Sequence, residues 1–130
     1  MMTDILKTYL LTLVPFIAID SVWLGLVAPK FYKSQIGFLL AERPNWTAAI
    51  IFYLLFIAGM VFFVTGREGT IQQAALRGAV FGLMCYATYD LTNLATIKDW
   101  PVIVTIVDMC WGTILGCGTG ALAIWLKGIL

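Results

Sequence analysis

The 130-residue chain contains no histidine. That excludes a serine or cysteine nucleophile activated by imidazole, and it excludes histidine-ligated metal. Cysteine is scarce. Cys85, Cys110 and Cys117 all lie inside apolar segments, and none belongs to a C-x-x-C pair. An odd number of thiols in such places gives no disulfide framework, so they read as small packing residues. Charge is scarce too. Asp, Glu, Lys and Arg supply 12% of the residues, against about 25% in soluble domains. A net charge of +1 leaves no basic surface for nucleic acid. There is no glycine-rich phosphate loop and no metal-ligand cluster, so neither a cofactor nor a metal is expected.

What the chain has instead is hydrocarbon. Hydrophobic residues make up 62% and the mean hydropathy is +0.96. A soluble domain is about 45–50% apolar. The excess sits in long blocks, which makes this an integral membrane protein embedded in a lipid bilayer. Four spans are expected, at about 5–27, 47–65, 71–95 and 102–126. Each has the roughly 20 residues needed to cross a hydrocarbon core. The reading is an all-α, four-helix membrane bundle, with residues 1–130 forming a single transmembrane domain. The first span is too long for a signal peptide, and no small-residue cleavage site follows it. Pro15 is expected to kink it. Between the first two spans, Phe31, Tyr32, Ile36, Leu39 and Leu40 approximate a helical stripe beside Lys30, Lys33, Ser34 and Gln35. A short amphipathic helix lying in the membrane interface fits that pattern, and so does an ordinary loop with buried anchors. The second span carries no charge and reads as packing and lipid contact only.

Four spans put both termini on one side. Lys7, Arg67, Arg77 and Lys127 then lie with the termini, and Lys30, Lys33, Arg43 and Lys98 lie opposite. Basic residues tie, so the positive-inside rule leaves orientation open.

Three acids interrupt the apolar blocks. Asp20 is nine residues before Pro29, Asp90 six before Thr96, and Asp108 seven after Pro101. At 1.5 Å per residue these are depths of roughly 9–14 Å from one shared side. An acid at the centre of a spanning helix costs about 3 kcal/mol on insertion scales. Three at one level point to a common polar pocket. Tyr86, Tyr89, Asp90 and Asn93 share one helical face, and Trp23 and Trp111 each follow an acid by three residues. The candidate site is therefore Asp20, Trp23, Tyr86, Tyr89, Asp90, Asn93, Asp108 and Trp111. If Asp90 and Asp108 face each other there, they are expected to hold a proton jointly.

Glycines give the geometry of the last hairpin. Gly78 and Gly82 continue the row of Tyr86 and Asp90, while Gly112, Gly116 and Gly120 continue that of Asp108. Small residues four apart let helix backbones approach closely in lipid. Asp90 to Gly82 and Asp108 to Gly116 are both eight residues, so the acids are expected opposite each other and Gly82 opposite Gly116. The two hairpins do not read as a duplication, because the second span has no counterpart of Asp108.

Three runs stand out together: Asp20-Ser-Val-Trp23-Leu-Gly25, Tyr86-Ala-Thr-Tyr89-Asp90-Leu-Thr-Asn93 through Trp100-Pro101, and Asp108-Met-Cys-Trp111-Gly112. Over nearly its whole length the chain resembles a family of small bacterial inner-membrane proteins known only as a domain of unknown function (DUF2177-like). The resemblance implies a multi-pass location in the bacterial inner (cytoplasmic) membrane and a four-helix architecture. It brings no activity and no catalytic residue.

Three classes of function fit these residues. The favoured one is binding or transport of a small cationic or amphipathic molecule, or a lipid, held by acids and aromatic faces and coupled to protons. Four helices are few for a transporter, so a homodimer is expected in that case. A structural or accessory subunit, whose polar cluster only locks the bundle, is the second. The third is a lipid-modifying enzyme using carboxylates as acid and base, which the missing nucleophile motif disfavours.

Overall fold

A computed structural model describes residues 2–130, so only Met1 of the expected 1–130 domain lies outside the described residues. The fold is all-α, with no strand among those residues. Helix α1 spans Met2–Val22 and passes through a π-turn, Trp23–Val27, into α2, Ala28–Ile36. A 3₁₀ turn at Gly37–Leu39 ends that arm. Helix α3 is Trp46–Met60, closed by a second π-turn at Val61–Thr65. Helices α4, Ile71–Thr96, and α5, Val102–Ile129, form the last hairpin.

Local chemistry fixes the ends. Asn45 caps α3 by accepting from the Ala48 N–H, and Pro101, without an N–H to satisfy, precedes α5. Thr70 and Gln73 form a reciprocal capping box at the start of α4. Asp99, at φ 62°, takes the left-handed conformation that turns α4 into α5, one that Asp tolerates better than most residues.

The first helix does not stop near residue 27. It continues as one rod from Thr3 to Leu39. Pro29 cannot donate to Gly25, and its ring crowds that carbonyl. The preceding turn widens to absorb it, with the Ala28 N–H bonding Trp23 O five residues back. The amphipathic stripe around Tyr32 is thus helical and rigidly continuous with α1. Phe31, Tyr32 and Ile36 pack against Leu94, Ile97, Trp100 and Val104 at the α4–α5 turn.

Three helices are long and apolar enough to cross a membrane: Thr3–Leu39, Trp46–Thr65 and Val102–Ile129. Helix α4 matches them in length but is the least apolar, carrying Gln72, Gln73, Arg77, Thr88, Thr92, Asn93 and Thr96. Thr88, Thr92 and Thr96 each return their hydroxyl to a carbonyl of the preceding turn, Met84, Thr88 and Thr92 respectively, which satisfies the donors without water.

Packing is inverted relative to a soluble protein. Leu54, Leu55, Phe62, Leu76, Met84 and Ile114 face outward. Thr8, Thr12, Asp20, Thr65, Asp90, Thr105, Asp108 and Thr119 are buried. Only 22% of the most apolar stretch of the first and second spans is covered by protein, so lipid must cover the rest. Helices α4 and α5 pack along their length, α1 lies against α5, and α3 lies against α1.

Candidate functional site

The α4–α5 contact sets the site. A Cβ on Gly78 would overlap the Gly116 carbonyl oxygen, one on Gly82 the Gly112 carbonyl, and one on Gly120 the Ala74 carbonyl. The tightest pairs are therefore Gly78 with Gly116 and Gly82 with Gly112. This is one turn away from the equal-offset pairing of Gly82 with Gly116, although those two remain neighbours. Continued upward, the register puts Tyr86 level with Asp108 and Asp90 one turn beyond. Helical side chains lean toward their own N-terminus. In an antiparallel pair Asp90 and Asp108 thus lean toward each other, and their carboxyl groups meet.

Asp90 has no exposed surface, and no donor among the described residues reaches either of its carboxyl oxygens. Its backbone carbonyl accepts from Thr105 Oγ1, which accepts in turn from Trp100 Nε1. Asp108 is better served, because the Tyr32 hydroxyl donates to its Oδ1. That bond runs from the far arm of the first helix into the hairpin.

Asp20 lies across from this pair. It is buried on α1, approached by the Trp111 indole and the Tyr53 hydroxyl. The indole N–H falls short of hydrogen-bond geometry and has no other acceptor. Two Asp-x-x-Trp runs meet here on antiparallel helices, Asp20 to Trp23 and Asp108 to Trp111. Trp23 and Trp111 stack with centroids 4.6 Å apart and planes 10° apart, while Tyr32 meets Trp23 edge-on. Tyr86 lies within electrostatic reach of both Asp20 and Asp108.

Tyr89 and Asn93 lie elsewhere. Tyr89 is 57% exposed, edge-on to Trp100, with Asn93 beside its hydroxyl. The two form a rim, one turn outside the buried acids. A cleft of about 320 Å³ opens there between α3 and α4, lined by Phe52, Cys85, Tyr86 and Tyr89.

Two hydroxyls at the acids escaped the sequence reading. The second span carries no charge in its sequence, yet Tyr53 faces Asp20. The signal was its solitude: Tyr53 is the one hydroxyl between Thr47 and Thr65. Tyr32 was read as part of an interfacial stripe. Its role depends on the rigid continuation past Pro29, which residue periodicity does not encode. No group of three or more acids and thiols among the described residues is arranged to hold a metal ion.

No curated protein and no solved structure shows significant similarity to the chain. A family described as predicted membrane proteins, DUF2177, matches residues 5–125. With almost the whole length matched, and with three helices able to cross a bilayer, the chain belongs to the DUF2177 family of predicted membrane proteins.

Proposed function

We propose that the protein binds, and in turnover transports, a small cationic or amphipathic molecule within the membrane. One observation carries this reading. Three carboxyl groups are buried on three helices, Asp90 in contact with Asp108 and Asp20 beside Trp111 and Tyr53, and no lysine or arginine among the described residues pairs with them. Buried acids without a cation are expensive unless something neutralises them. An organic cation supplies charge to Asp20 and lies against the Trp23, Trp111 and Tyr86 rings, which add cation–π attraction. The Asp90–Asp108 pair holds or releases a proton as the cation comes and goes. Transport by so few helices calls for a second copy of the chain, and a bacterial inner-membrane setting, which the family resemblance suggests, belongs to this reading.

Thermal unfolding in lipid nanodiscs tests it. A ligand that binds only the folded state raises Tm by mass action. Tetraethylammonium is expected to raise Tm in the unmodified protein, and potassium chloride at equal ionic strength is not. Asp20→Asn and Asp108→Asn keep the side-chain shape and should lose the effect. Equal stabilisation of all three proteins, or none by any organic cation, contradicts the proposal.

A further inference from the structure

Helix α3 meets α4 mainly at its lower end. Gly59 and the rings of Phe56 and Phe63 close on Phe81, and the π-turn Val61–Thr65 packs on α4. Above Phe56 the two helices part. The gap is the 320 Å³ cleft, with Phe52 on one side and Cys85, Tyr86 and Tyr89 on the other. Its lining is almost wholly apolar, and Phe52 and Tyr89 at its mouth are exposed on the lipid-facing surface. Its inner wall is Tyr86, the residue on which Asp20, Tyr53 and Asp108 all act. Tyr53, next to Phe52 in the chain, turns its hydroxyl inward to Asp20.

An apolar slot that starts in the hydrocarbon and ends at Tyr86, a ring within the electrostatic reach of buried Asp20, matches one molecular shape. We infer that the cleft is a lateral window for a single-chain amphipathic amine, whose ammonium sits at Asp20 while its hydrocarbon chain lies between Phe52 and Tyr89 and runs out into the bilayer. This rests on the cation-binding reading and adds the direction of access and the class of molecule. A second observation supports a ligand here rather than a sealed cluster. Asp20 is buried, no lysine or arginine among the described residues pairs with it, and the Trp111 indole N–H beside it falls short of hydrogen-bond geometry, so its carboxyl has acceptor capacity that the protein leaves unused. The cleft volume falls at the lower end of ligand pockets, about 300–1,000 Å³, as suits one narrow chain rather than a two-chain lipid. A free aqueous cation has little use for the slot, because its walls are almost wholly apolar.

Cys85 lines the window and is a native reporter of its occupancy. With Cys110→Ser and Cys117→Ala, it is the sole thiol, and its alkylation by N-ethylmaleimide can be timed in nanodiscs. Three probes are compared below their micelle concentrations: dodecyltrimethylammonium, dodecyl sulfate and tetramethylammonium. The amphipathic amine is expected to slow Cys85 alkylation about tenfold at saturation, a change equivalent to 1.4 kcal/mol. Dodecyl sulfate, with the same chain and opposite charge, should leave the rate unchanged, and so should tetramethylammonium. Asp20→Asn should abolish the protection, and Tyr53→Phe should weaken it without unfolding the protein. Equal protection by dodecyl sulfate would mean that the chain alone fills the cleft, and would overturn the inference. Stabilisation by tetraethylammonium through Asp20, with no protection of Cys85 by any amphiphile, overturns the window and leaves the cation site standing. If no cation either stabilises the protein or protects Cys85, both readings fall.

Discussion

At Asp90 a carboxyl group with no exposed surface meets another carboxyl and no donor. Two ionised carboxylates have acceptors only. One proton between them turns the contact into a hydrogen bond, and the Tyr32 hydroxyl adds a donor to Asp108. The pair is therefore expected to show a protonated carboxyl stretch in the infrared at neutral pH, lost when Asp90 and Asp108 are both changed to Asn. A spectrum without that band, or one unchanged in the double variant, contradicts the shared proton. The acids were legible in the sequence because an acid in an apolar run is rare and costly, by about 3 kcal/mol. Tyr32 and Tyr53 were not, because tyrosine is at home in a membrane helix whether or not its hydroxyl has work to do. Only the path of the neighbouring helix tells the two cases apart.

Between elements, the contact of α4 with α5 decides where the acids lie. Its glycines were legible as facing rows, since four-residue spacing survives any register. The register was not, because equal offsets in two sequences assume that facing side chains project straight across. They lean toward their own N-termini instead, so the backbones meet one turn away from the side-chain contact. The continuous first helix was hidden for a related reason: proline reads as a stop, and a π-turn lets the helix pass it. The glycine contact makes a stability prediction. At Gly116 a side chain would meet the Gly78 carbonyl, whereas at Gly128 it would meet nothing within 4 Å. Gly116→Leu is expected to destabilise the protein by about 3 kcal/mol or more, since backbone must move. Gly128→Leu should change stability by less than about 0.5 kcal/mol. Similar Tm shifts in the two variants would show that the helices do not approach this closely.

Across the whole molecule, an apolar exterior surrounds an interior in which buried threonines and three acids lie among apolar side chains. The membrane class and helix count were legible in composition and in block length, which depend on no contact. That Asp90 and Asp108 meet, while Asp20 has the Trp111 indole and the Tyr53 hydroxyl beside it instead, was not legible from depth alone. The apolar cleft beside Tyr86 was not legible at all, because it arises where α3 parts from α4 above Phe56. The central claim is that these acids receive a cation inside the membrane, and solid-state NMR addresses it most directly. Protein labelled with ¹³C at aspartate carboxyls, in bilayers with ¹⁵N-labelled dodecyltrimethylammonium, reports the separation of nitrogen and carboxyl through their dipolar coupling. The account predicts a nitrogen–carboxyl coupling at ion-pair range, present in the unmodified protein and lost in Asp20→Asn. Bound amphiphile with no carboxyl coupling, or coupling that survives Asp20→Asn undiminished, would contradict it.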